Sequence, residues 1–112
     1  GVETVEMTVK LFLESVPQAL ADLQLVTKTG DRELLRQTAH KFKGSCVSVG
    51  ARQAALVLQR LEQLEEGVVV DDLLTQLEFE LQRAQNALRS YRRTGAGAFK
   101  LTGAGVVGRL SG

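Results

Sequence analysis

The sequence holds one cysteine, one proline and no tryptophan, and aromatic residues make up only 4% of its 112 positions. A single cysteine, Cys46, cannot form an internal disulfide, so a reducing, cytoplasmic setting is expected. One Cys and one His are too few for a dedicated zinc site, which normally takes four such ligands. We expect no metal and no cofactor. The scarcity of aromatics and proline argues for helices over strands. No apolar run is long enough to span a bilayer. The N-terminal stretch GVETVEMTVKLFLESV mixes acids among its apolar residues and carries no basic leader, so a signal peptide is not expected. The net charge of +1 gives no reason to expect nucleic acid or a membrane as a partner. There is no glycine-rich phosphate loop of known type and no acidic pair placed for Mg²⁺, so no ATP site is expected.

What is present is enough apolar material, 44% of residues, to fill one core, with 24% charged residues for its surface. A helical period runs through most of the chain. Val5, Val9, Phe12 and Val16 fall three or four apart, on one helix face. Pro17 predicts a break or sharp bend there, since proline is disfavoured inside a helix. A new helix then carries Leu20, Leu23 and Val26 inward. Gly30 can close that helix in a left-handed conformation, and Asp31 can cap the next. The third helix runs from about Arg32 to Val49, with Leu35, Ala39, Phe42, Cys46 and Val49 as its core stripe and Gly50 as its terminator. A fourth runs from about Ala51 to Glu65, with Ala54, Leu58, Leu61 and Leu64 inward, and Glu66-Gly67 ends it. Val68-Val69-Val70 forms an apolar connector. Asp71 or Asp72 can cap the last helix, whose stripe is Leu74, Leu77, Leu81, Ala84, Leu88 and Tyr91.

The expected architecture is all-α: an antiparallel up-and-down four-helix bundle with an additional N-terminal helix, over residues 1–93. Residues 94–112, TGAGAFKLTGAGVVGRLSG, are dense in glycine and hold no acid, which predicts a flexible tail or linker.

The chemistry concentrates on the third helix. At about 100° per residue, His40 lies well round from the Ala39–Cys46 stripe and close to solvent. Arg36, Lys43, Gly44 and Val47 share its face. A neutral imidazole is a competent nucleophile near neutral pH, histidine side chains ordinarily titrating at about 6.5. A phosphorylated ring gains negative charge, which an adjacent cation steadies. Lys43 stands at the right offset, with Arg36 on the other side. Gly44 leaves space beside the ring for another protein, and a glycine inside a helix costs about 1 kcal/mol that some benefit must offset. Taken singly, a surface His beside lysines is usually just solvated, and a mid-helix Gly is more often a packing contact. Their joint spacing shifts the balance towards function. Cys46 lies on the buried stripe and reads as an inert core residue.

The stretch Ala39-His40-Lys41-Phe42-Lys43-Gly44-Ser45-Cys46-Val47-Ser48-Val49-Gly50-Ala51 resembles the signature of the histidine-containing phosphotransfer (HPt) domain family. That signature has a His, an apolar residue two on, Lys-Gly-Ser or Lys-Gly-Ala next, and Gly-Ala or Gly-Leu about ten on. A weaker likeness, including Phe12, Pro17 and the Gly30-Asp31 turn, extends over roughly residues 2 to 92. The resemblance implies four antiparallel helices with the first as a lid. It implies that His40 is phosphorylated, through Nε2, that Lys43 stabilises the phosphoryl group, that Gly44 permits docking and that Ser45 packs at the edge of the site. Some members place Gln on the next helix, facing the His; the aligned position here is Glu62. A carboxylate there could orient a neutral imidazole but would repel its phosphorylated form.

The resemblance further implies a carrier without its own kinase site, not an enzyme. It would exchange phosphoryl groups with response-regulator receiver domains, which supply the acidic pocket and Mg²⁺, downstream of a sensor histidine kinase. Arg36, Lys41, Lys43 and Arg52 would give the docking face a basic tint, and Val47 would add apolar contact. Two alternatives stay open: an interaction or dimerisation bundle in which His40 is incidental, and a module excised from a larger hybrid histidine kinase. A monomer is the simpler expectation.

Overall fold

Glycine and a single aspartate punctuate the chain. Gly30 adopts φ 76° and Gly50 φ 76°, left-handed conformations that end a helix without a side-chain penalty. Asp31 follows in extended geometry and its carboxylate accepts from the Leu34 N–H at 3.0 Å, capping the next helix as its sequence position predicts. The computed structural model describes residues 2–94, with side chains described for residues 4–90. These residues form four helices and no strand: α1 (Val2–Thr29), α2 (Arg32–Ser48), α3 (Arg52–Gln63) and α4 (Val70–Thr94). α1 packs on α2, α2 on α3 and α3 on α4, while α1 also meets α4 and closes the bundle. No helix among the described residues is long and apolar enough to cross a membrane.

The core is built by one stripe from each helix. Val9, Phe12, Val16 and Leu23 enter from α1, and Leu35, Ala39, Phe42 and Cys46 from α2. Leu58 and Leu61 from α3 meet Leu73, Leu77, Leu81 and Leu88 from α4, all almost wholly buried. Fully burying one such leucine contributes about 1.5–3 kcal/mol. The Phe12 and Phe42 rings stack across the α1–α2 seam with centroids 6.2 Å apart.

Several expectations need correction. The break at Pro17, and with it an additional N-terminal helix, is absent: α1 runs unbroken for 28 residues. Pro17 sits on the exposed face, where water can serve the carbonyl its missing N–H leaves free, while Val16 and Leu23 on either side stay locked in the core. Val5 is 44% exposed, so the α1 stripe starts one turn later. α3 stops at Gln63 because Leu64 turns left-handed. Asp71 and Asp72 lie inside the first turn of α4, where their charges complement the positive helix end, and do not precede it as caps. Val68 and Val70 are half-buried against the core, which gives the apolar connector its role. Of the Gly-rich segment expected from residue 94, only Thr94, the last residue of α4, is described; residues 95–112 and the Tyr91 side chain lie outside the described residues.

Candidate functional site

α2 carries its core stripe inward and so turns the adjacent flank, with His40, towards α3. The His40 side chain is 65% exposed, and its Nδ1 stands 3.0 Å from Oε1 of Glu62, in the last turn of α3. The other carboxylate oxygen, Oε2, lies 2.7 Å from the Lys43 Nζ. That second contact falls outside good hydrogen-bond directions, so it is an ion pair first. Glu62 thus bridges the histidine and the lysine while only 14% exposed. Burial opposes its ionisation, but the Lys43 and His40 contacts outweigh burial and hold its carboxyl below the usual range.

The ring tautomer follows from this. An ionised carboxylate only accepts hydrogen bonds, so Nδ1 must donate its N–H to Glu62. In the neutral ring the lone pair is then left on Nε2, on the exposed side chain. The arrangement is a nucleophile held in one orientation and one tautomer, with an ammonium close by. The site is confined to α2 and α3; α1 and α4 support it from behind.

Other residues singled out from the sequence sit as follows. Gly44 lies one turn on from His40, and a Cβ built there would meet nothing within 4 Å, so no packing partner demands the glycine. Val47 is 62% exposed on the same flank. Lys41 is exposed. Arg36 hydrogen-bonds to Glu33, with contacts of 2.6 and 3.0 Å that hold the Glu33 carboxyl down to about 2, and reaches the site only through the longer-range attraction of the Glu62 charge. Ser45 lies on the opposite flank, lining a groove with Leu11, Phe12 and Ser15 of α1. Arg52 begins α3, ten residues and about 15 Å from Glu62, so it belongs to the far end of that helix. Cys46 is buried, and burial pushes its thiol up to about 12, as suits an inert packing residue.

One contact was not legible from the sequence. The Arg32 Nη2 donates to the Leu64 carbonyl at 2.9 Å, joining residues 32 apart along the chain. No local pattern announces such a pair.

An all-helical bundle presenting an oriented imidazole defines a class: helical domains built around a surface histidine. A family model described as Hpt domain matches residues 8–90, and the chain belongs to the Hpt domain family. Members of this family serve histidine phosphotransfer in the phosphorelays of two-component signalling, where they interact with receiver domains and kinases. Comparison with curated proteins and with solved structures returned no match.

Proposed function

We propose that this chain is a phosphoryl carrier, accepting a phosphoryl group from a receiver-domain aspartate on His40 Nε2 and passing it to a second receiver aspartate. The observation that carries the reading is the Nδ1–Glu62 contact, which leaves the Nε2 lone pair on an exposed ring. In the forward step that lone pair attacks phosphorus in line. The N–P bond forms as the P–O bond to the aspartate breaks, and the aspartate leaves as a carboxylate with the electron pair. The ring becomes cationic because Nδ1 keeps its proton, and the Glu62 carboxylate offsets that charge. Lys43 faces the phosphoryl oxygens. The reverse sequence donates to the next aspartate, so the chain is a carrier and not an enzyme with a kinase site. The short connections between helices favour an antiparallel up-and-down order. On α2, Gly44 and Val47 follow the histidine by one and two turns and form a docking surface, with Lys41 adding charge. We place this exchange in the cytoplasm, downstream of a sensor histidine kinase.

The test is phosphoryl transfer from a phosphorylated receiver domain, with His40→Gln as control. Acid-labile, base-stable label on the wild type and none on the variant is expected. A folded wild type that takes no label from a panel of receivers would overturn the reading.

A further inference from the structure

α3 ends without a glycine. Leu64 occupies its cap position with φ 31° and ψ 76°, a left-handed conformation that residues with a side chain rarely adopt. Such strain persists only where the surroundings hold it in place. Two contacts do so. The Leu64 side chain packs half-buried against the core. Its carbonyl, which the finished helix leaves without a helical donor, accepts from the Arg32 Nη2 at 2.9 Å.

The position of this clamp matters. Arg32 is the first residue of α2, the helix that carries His40. Leu64 follows Glu62 by two residues, and Glu62 lies in the last turn of α3. Final turns of helices fray, and fraying here would carry the Glu62 carboxylate away from the imidazole. We infer that Arg32 is a positioning residue: by clamping the Leu64 carbonyl to α2 it holds the Glu62 carboxylate on His40 Nδ1 and so decides which ring nitrogen is free. The inference gives Arg32 its meaning through the proposed role of His40, but it concerns ring geometry and can be read without any phosphoryl donor.

The experiment uses the full chain, ¹⁵N-labelled, with two-bond ¹H–¹⁵N correlation spectra of the His40 ring at alkaline pH. Wild type should show the neutral ring mainly as the Nδ1–H tautomer, and Glu62→Ala gives the reference for a lost contact. Arg32→Met keeps the aliphatic stem and removes the donors; it should move the ring towards the Glu62→Ala pattern, with the thermal transition retained. Arg32→Lys restores a donor and should keep the wild-type pattern. A wild-type tautomer pattern in Arg32→Met would overturn the inference, as would an Arg32→Lys ring shifted as far as Arg32→Met. Because no transfer is measured, failure of the carrier reading would appear separately, as absence of label in a chain whose ring still shows the Nδ1–H form.

Discussion

At the scale of single residues, Glu62 sets the behaviour of the site. It meets both His40 and Lys43, so its charge has two uses. Glu62→Gln keeps an acceptor for Nδ1–H but loses the charge that offsets a cationic ring. Initial labelling by a phosphorylated receiver should fall about tenfold, equivalent to ~1.4 kcal/mol in the barrier, and Glu62→Ala should fall further. An unchanged rate in both variants would remove Glu62 from the mechanism. The same carboxyl makes a prediction about acid. Its folded-state affinity for a proton is lowered, so its contribution to stability is present above about pH 4.5 and is lost as pH falls through the lower folded value. Denaturant midpoints measured from about pH 6 down to pH 3 should therefore fall less steeply in Glu62→Gln than in wild type. Glu33, also held low, stays in both proteins and cancels from the comparison. Gly44 supplies a contrasting case. Its flank is open, so Gly44→Ala should stabilise the fold by about 0.5–1 kcal/mol in thermal melts while slowing transfer from a receiver. Faster transfer together with higher stability would show that the glycine does not serve docking.

At the scale of elements, α2 and α3 are positioned by their ends. Asp31 fixes where α2 begins, and His40 lies two and a half turns further on, so the cap sets the height of the ring along the bundle. Asp31→Ala should cost about 1 kcal/mol by denaturant unfolding, and Asp31→Asn much less, because Asn keeps the acceptor for Leu34. Equal losses would mean that the carboxylate acts through its charge at the helix end and not through the hydrogen bond. The ends of α2 were legible because Gly30, Asp31 and Gly50 act through local backbone chemistry. The end of α3 was not. Leu64 turns left-handed with no residue to announce it, held by packing and by an arginine from another helix. Capping rules read neighbours in sequence, and this cap comes from a neighbour in space.

At the scale of the whole molecule, the core stripes of α2, α3 and α4 followed from the spacing of Leu35, Ala39 and Phe42, of Leu58 and Leu61, and of Leu77, Leu81 and Leu88. The face carrying His40 followed from the same wheel, because whatever is not in the stripe must turn away from it. Arg36 and Arg52 show where that reasoning stops. A wheel gives an angle, but the reach of a long side chain is decided by the nearest carboxylate, and for Arg36 that was Glu33. Pro17 shows the limit from the other direction. Local propensity predicted a break, and burial of residues on both sides of the proline overrode it.

That proline leaves a mark on α1 which the helix's outward continuity conceals. It contributes no amide proton, and the Leu13 carbonyl one turn earlier has no helical donor to receive. The rod is therefore two segments that share packing but lack one rung between them. The segment before Pro17 includes Leu11, Phe12 and Ser15, which line the groove against α2; the segment after it reaches α4 through Gln24, which donates to Glu78 at 3.2 Å. Amide hydrogen exchange along α1 should accordingly show a step at Pro17, with protection lower before it than after, and Pro17→Ala should level the step by restoring the missing rung. Because Val9, Phe12 and Val16 of the leading half are buried in the core, any opening at this seam exposes that end of the core together with the surface beside α2, while the trailing half stays packed through Leu23.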